Sequence, residues 1–393
     1  MVFAAKLGQD ASAMTARICS LLVLASGLLV VISAAAQAQA PKNQPLAVFD
    51  IRQYGAKGDG ISDGQQAIEA AIEDAREAGG GILFVPNGTF LHSGVLALGS
   101  RIVVRGNGPS SVLAASDPAA AALRFQDAED CRVQGVRLTA TAAKRLTANN
   151  AAAILFKDSR SCSVRDVEIE GAAGAGIIVS GGRDIHIAAS EIRRSRGDGI
   201  YVADGAQRIV VEDSRAIDTG DDGFAAVAFA RSALTDDVTF ANDVSERSGR
   251  RGIACIGAAH CRIRGNKIIA PAAHGIAVAF EPGFQTRRPR EAVLGDNLVS
   301  GALNAGFNSL FIDGADGVAV TGGEIDDSTP VLIRSSADVA LVGLTIRNAR
   351  GAPVIARDCD RLTIRKLVST GSQRPRLDLD KSSSSALQEN RIE

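Results

Sequence analysis

Apolar residues recur along the middle of the chain at nearly fixed intervals. Ile154, Ile177, Ile200, Phe224, Ile253 and Ile276 are separated by 23, 23, 24, 29 and 23 residues, and Leu310, Val331, Val354 and Leu377 continue at steps of 21, 23 and 23. From Leu123 onward each interval holds two or three short β-branched or apolar runs, such as 154–156, 164–169 and 208–212, broken by Gly, Asp, Asn or Ser. No helical period lies between them. Short strands at even spacing predict an all-β, single-stranded right-handed parallel β-helix, a solenoid in which each coil packs on its neighbours. The coils are expected over about 82–392, the last of them around the Ser-rich segment 382–385.

The period changes near the start. Residues 48–54 read as a first strand, followed by a turn-rich loop with Gly55, Gly58 and Gly60. Ala67, Ile68, Ala71, Ile72 and Ala75 then fall on one helical face opposite Glu69, Glu73, Asp74 and Arg76, which predicts a helix over about 63–78. Ser62 with Gln65 fits a capping box at its start, and Gly79, Gly80 and Gly81 end it. An open first coil would expose strand edges, so this helix is expected to cover it as an N-terminal cap. Strands are expected next at 82–85 and 101–104.

Composition alters the picture in three places. Arg17, an apolar run over 18–32 and the small-residue stretch up to Ala38 have the layout of a secretory signal, so residues 1–38 are expected to be removed and 39–393 exported without a membrane anchor. Forty-three basic residues against forty-four acidic ones leave no basic footprint for nucleic acid. Of six cysteines, Cys131 and Cys162 sit at matching places in adjacent repeats, where a disulfide is conceivable and a ladder of buried thiols is the preferred expectation. The chain is taken as a monomer.

Candidate chemistry lies two residues before the anchors, at Ala152, Ala175, Asp198, Asp222, Arg251 and His274. In a solenoid these side chains form a column whose middle is charged, with Asp221 beside it. Strict alternation would point them inward with their isoleucines, so the chain is expected to bend at Gly199, Gly223, Gly252 and Gly275, letting the preceding side chain out. Tyr201, next after Ile200, offers a ring for a sugar. Two coils are enlarged next to the charged residues, one near 231–237 and one holding Glu281, Arg287, Arg288, Arg290 and Glu291, and both are expected to wall a groove. The competing reading is bland, since Asp-Gly is a common turn pair and recurs at 204–205, 313–314 and 316–317.

The opening, from Phe49-Asp50-Ile51 through Gly58-Asp59-Gly60 to Gly79-Gly80-Gly81-Ile82 and Pro86-Asn87-Gly88-Thr89, resembles the start of the pectate-lyase superfamily. Gly-Asp-Gly-Ile at 197–200 and Gly-Asp-Asp-Gly-Phe at 220–224 are similar to two motifs of polygalacturonase- and rhamnogalacturonase-type glycoside hydrolases. The resemblance implies Asp221 as general acid, with Asp198 and Asp222 activating water. The family's Gly-His-Gly histidine is replaced by Arg251, and its Arg-Ile-Lys motif aligns with Ala277, Val278 and Ala279.

These residues lead to a secreted polysaccharide hydrolase acting by inversion on an acidic polymer, with Asp198, Asp221 and Asp222 catalytic and Arg250, Arg251, His274 and Tyr201 holding substrate. Inversion calls for carboxyl groups roughly 6.5–9.5 Å apart. That reading needs no cofactor. Two alternatives stand beside it: a polysaccharide lyase or uronate epimerase, in which the aspartates hold Ca²⁺, and a non-catalytic polysaccharide-binding solenoid.

Overall fold

The computed structural model describes residues 46–380 and 384–393, so the expected signal segment 1–38 lies outside the described residues. The chain is an all-β parallel solenoid built of three sheets. Two of them hold 14 strands and the third holds 12, and consecutive strands of each sheet are one coil apart in the chain. Sheet 1 opens at Val48–Asp50, sheet 2 at Asp59–Asp63 and sheet 3 at Leu96–Leu98.

The anchors align as the spacing requires. In sheet 3, Ile154, Ile177, Ile200, Phe224, Ile253, Ile276, Leu310, Val331 and Val354 pair successively in register. All are buried in one continuous core. Each such side chain contributes roughly 1.5–3 kcal/mol by leaving water, and a slip of one residue would turn the whole set outward. Phe125 stacks on Phe156 of the next coil at 5.0 Å between centroids. The closing strand Arg391–Ile392 pairs with Val368–Thr370, so coils continue to the end of the described chain.

Three local expectations need correction. The run 164–169 is not one strand. It divides into Arg160–Arg165 and Glu168–Glu170 at Asp166, whose φ of 54° turns the corner between sheets 1 and 2. The strand expected over 48–54 ends at Asp50, whose carboxylate accepts from the Arg52 N–H at 2.9 Å and starts a 3₁₀ turn over Ile51–Tyr54. The helix is present at Gln65–Glu77 with Ile68, Ala71, Ile72 and Ala75 buried, but Gly64 stands at its N-cap and the first helical N–H, of Gln65, is taken by Asp63 Oδ1 at 3.0 Å rather than by Ser62. Ser62 instead donates to Asp59, and the Gln65 amide oxygen accepts from the Gly94 N–H.

The cysteines divide in a way the spacing did not announce. Cys131 and Cys162 are free and buried side by side on neighbouring coils, as the thiol-ladder reading has it, and Cys359 is buried too, its Sγ donating to Arg357 O at 3.3 Å. Cys255 and Cys261 form a disulfide within a single coil, closing the corner between sheets 3 and 1.

Candidate active site

Asp198, Asp222, Arg251 and His274 each stand two residues before a sheet 3 strand, and the register of those strands stacks them on successive coils. The backbone ladder runs through the column: Gly199 N–H donates to Asp222 O at 3.0 Å, Gly223 N–H to Arg251 O at 2.9 Å and Gly252 N–H to His274 O at 3.0 Å. The glycines do let the preceding side chains out, by a different physical means than a left-handed bend. None of the four has a positive φ. What they lack is room. A Cβ on Gly199 would meet Gly223 O at 2.4 Å, one on Gly223 would meet Ser245 Oγ at 2.2 Å, and one on Gly252 would meet Ile268 Cγ2 at 2.3 Å. Glycine and anchor both face inward at this corner, which is possible only because the first has no side chain, and the residue before them faces outward.

Asp221 joins the column from the turn before Asp222. One carboxylate oxygen from each of Asp198, Asp221 and Asp222 lies within 4.8 Å of the other two, and all three residues are buried. Nearest oxygens this close are tighter than the spacing expected for an inverting pair. Asp198, Asp221 and Asp222 are absent from the left-handed positions, whereas Asp204, Gly205, Gly314 and Gly317 occupy them. The glycines of the other Asp-Gly pairs take the left-handed conformation, and the acids of the column do not.

Four arginines face the acids or the cleft above them. Arg251 is 7% exposed at its side chain. Its backbone N–H donates to Asp222 Oδ1 at 2.9 Å, its Nη1 lies 3.2 Å from Asp222 Oδ2, and its Nη2 pairs with Glu281. Arg145 pairs with Asp221 Oδ2 and lies 3.9 Å from Asp198. Arg250 Nε is 3.7 Å from Asp221 Oδ1, which is buried without a hydrogen-bond partner. Arg231 lies over the Phe229 ring.

Burial pushes the Asp198 carboxyl well above the usual carboxylate range, and the charges of Asp222 and Asp221 add to it. Burial raises Asp222 as well, opposed by Arg251. Tyr201, half-buried on the cleft, is held above its ordinary value by burial first and by the Asp198 charge next. His274 is pushed down to about 4 by burial and then by Arg251, so its ring is neutral. Its Nδ1 accepts from the Asn308 N–H, and the ring stacks on Phe311 at 4.2 Å with Phe307 at its edge. His274 is in the column but packed behind the cleft, outside its lining.

The cleft has a volume of about 400 Å³, within the range of small-ligand sites. The three aspartates, Arg250, Arg251 and Tyr201 line it. One wall is the loop with Arg145, Leu146 and Asn149, and the other carries Phe229, Arg231, Glu281 and Phe284. That second wall is made by the two enlargements holding each other. Phe229 bridges Thr286 antiparallel, Ala230 N–H donates to Gln285 O, and Arg287 N–H donates to Ala228 O. Arg145 escaped the reading of the column because it lies on neither the anchor nor the column position. The available signal was the 31-residue step from Leu123 to Ile154, longer than the two 23-residue steps that come directly after it.

Comparison with known proteins places this architecture. The model of the rhamnogalacturonase A/epimerase, pectate lyase-like family matches residues 48–271, more than half of the chain. The chain belongs to that family. Among curated relatives, mannuronan C5-epimerase AlgE4 of Azotobacter vinelandii is 27% identical over 197 residues, covering 50% of this chain and 35% of the relative. Alginate lyase 7 of the same organism is 26% identical over 221 residues, covering 54% and 24%. The chain thus spans about a third or less of the length of these relatives. Among solved structures, the catalytic unit of a GH87 α-1,3-glucanase from Streptomyces thermodiastaticus superposes with a TM-score of 0.70 at 20% identity, covering 89% of this chain and 70% of that one. A Yersinia enterocolitica family 28 exopolygalacturonase gives 0.59 at 15% identity, covering 82% and 78%. These likenesses are of fold. The chain is a parallel β-helix protein of the rhamnogalacturonase A/epimerase, pectate lyase-like family, similar in sequence to mannuronan C5-epimerases and an alginate lyase and in fold to two glycoside hydrolases.

Proposed function

We propose that the chain is an exported polysaccharide hydrolase that cleaves an acidic polymer at the Asp198–Asp221–Asp222 cluster. The observation that carries this is the convergence of three buried carboxylates from two neighbouring coils on the floor of a walled cleft, one of them pushed strongly toward its protonated form. Glycoside hydrolysis needs that asymmetry, one carboxyl holding a proton and another able to take one. We take Asp198 as the acid, because burial and two neighbouring carboxylates favour its proton, while Arg145 against Asp221 opposes the same role there. Asp221 and Asp222, adjacent in the chain, hold and deprotonate one water. Arg251 positions Asp222, Arg250 lies against Asp221, and Tyr201 faces the sugar. The acidic polymer is supported by the arginines on the cleft and by the mannuronan and alginate in the names of the curated relatives. The helix Gln65–Glu77 is read in the same way, as the cover of the first coil.

The test is turnover of the mature protein on a panel of acidic polysaccharides, reading reducing ends and the absorbance of unsaturated products together. Hydrolysis gives reducing ends without absorbance, and Asp198→Asn abolishes them. Inversion is read separately by proton NMR of the first-formed product. The tight spacing of the nearest oxygens is where that half of the proposal is exposed, and a retained anomer refutes it while leaving hydrolysis intact.

The same spacing favours a second reading. Three carboxylate oxygens within 4.8 Å suit a divalent cation with oxygen ligands, and a cation held against a uronate would serve a lyase or epimerase. Unsaturated ends, or loss of activity in chelator that Ca²⁺ restores, select that reading over hydrolysis.

A further inference from the structure

Of the four arginines on the cleft, three are already spent on its carboxylates: Arg251 on Asp222 and Glu281, Arg145 on Asp221 and Asp198, and Arg250 on Asp221. Arg231 is different. It is exposed, it lines the cleft, and it makes no ion pair with any described residue. Its guanidinium lies over the Phe229 ring, Cζ 4.8 Å from the centroid. Stacking occupies one face of the guanidinium plane and leaves its N–H edges open, the presentation that suits a planar, two-oxygen acceptor.

The seat under Arg231 is firm. Phe229 packs on an outward-facing cluster of small residues from sheet 3, Ala225, Ala254, Ala277 and Ala279 among them. The turn carrying Arg231 is closed by Ser232 N–H donating to Phe229 O at 3.2 Å. From the opposite insertion, Arg287 Nη2 donates to Ser232 O at 2.8 Å and Ala230 O at 3.4 Å, on either side of Arg231. A cation held on a braced turn loses less freedom on binding than one on a free loop.

We propose that Arg231 is the specificity-determining residue of the cleft, the receptor for the carboxylate of a uronic-acid ring. This rests on the reading of the cleft as a site for an acidic polysaccharide and adds which residue enforces the acidity. The other arginines neutralise and position the protein's own acids, so discrimination between an acidic and a neutral sugar falls to Arg231.

The experiment is equilibrium titration calorimetry on the mature protein with short uronic-acid oligosaccharides, the same oligosaccharides after carboxyl reduction, and a sulfated neutral oligosaccharide. The wild type binds the uronate form about tenfold more tightly than the reduced form or better, as a charge-assisted hydrogen-bonded pair provides. Arg231→Gln removes that preference and leaves the dissociation constant for the reduced form unchanged, while Arg231→Lys keeps part of it. Thermal unfolding of each variant checks the fold. The proposal is overturned if Arg231→Gln retains the preference, if the wild type binds both forms alike or neither, or if the sulfated ligand binds as well as the uronate. Because binding is read without turnover, a protein that binds selectively and releases no reducing ends sinks the hydrolytic reading and leaves the role of Arg231 standing.

Discussion

Replacing Asp243 by asparagine should stabilise this protein, and by an amount that depends on pH. Asp243 sits at the corner between sheets 1 and 2, in a ladder of short polar side chains that runs along the inside of the solenoid. Ser214 N–H donates to Asp243 Oδ1 at 2.8 Å, and Asp243 N–H donates to Asn266 Oδ1 at 2.8 Å. The neighbouring asparagines finish the pattern with their amide groups: Asn266 Nδ2 donates to Phe240 O and Asn297 Nδ2 to Ile263 O. By register the matching carbonyl for Asp243 is Val211 O. A carboxylate has no proton to give it, and Asp243 Oδ2 is buried without a partner. Burial accordingly raises this carboxyl from 3.8 to about 8, with the Ser214 N–H pulling the other way. At 1.36 kcal/mol per pKa unit, the raised carboxyl costs the fold about 6 kcal/mol above pH 8, where it is buried ionised, and about 4 kcal/mol at pH 7, where folding must bind a proton. The sign follows from the raised folded value: its contribution is fully present below the unfolded value near 4 and is lost as pH rises through about 8. An asparagine in its place would accept from Ser214 and donate to Val211 O at every pH. Urea or thermal unfolding of wild type and Asp243→Asn, compared at several pH values from 4 to 9, should show near equality at the acid end and a gap widening to several kcal/mol at the alkaline end. A gap that stays flat across that range would refute the reasoning.

Three further outcomes are expected. Arg251→Ala leaves Asp222 buried without its counter-charge and should cost about 3–5 kcal/mol of stability together with most turnover; Arg251→Lys, which keeps the charge but not both contacts, should recover only part of each, as unfolding midpoints and rates will show. Gly223→Ala brings a Cβ to 2.2 Å from Ser245 Oγ and 2.7 Å from Gly252 O, so it should lower stability by about 1–3 kcal/mol and disturb Asp222, and unchanged unfolding would contradict the packing account of that glycine. Turnover should fall as pH rises through the elevated pKa of Asp198, because the proton it holds is lost, and a pH–rate profile with no alkaline limb would count against Asp198 as the acid.

How much of this was legible in the chain follows from what repeats. A parallel solenoid writes its register into the sequence, because each inward position must be refilled one coil later. The isoleucine spacing therefore places Asp198 beside Asp222, and Arg251 beyond it, without any knowledge of the coordinates. Features that break the repeat are legible only as breaks. The enlarged coils announced walls, yet nothing in their residues announced that Phe229 would bridge Thr286. Arg145 carries no periodic signal at all and reaches Asp221 from two coils before Asp198. The cysteines show the same limit from the other side: matching positions drew attention to Cys131 and Cys162, while the bond formed between Cys255 and Cys261, inside one coil, where a comparison between coils does not look. Arg251 carries the argument furthest. Its place in the column was visible and suggested a hand for the substrate, but a column position fixes only where a side chain starts. With Asp222 on one side and Glu281 from the insertion on the other, both ends of its guanidinium are occupied. The floor of the cleft at Asp222 is thereby tied, through Arg251 and Glu281, to the wall that carries Arg231 and Phe284, so that a displacement of the wall bears on the position of Asp222 as well.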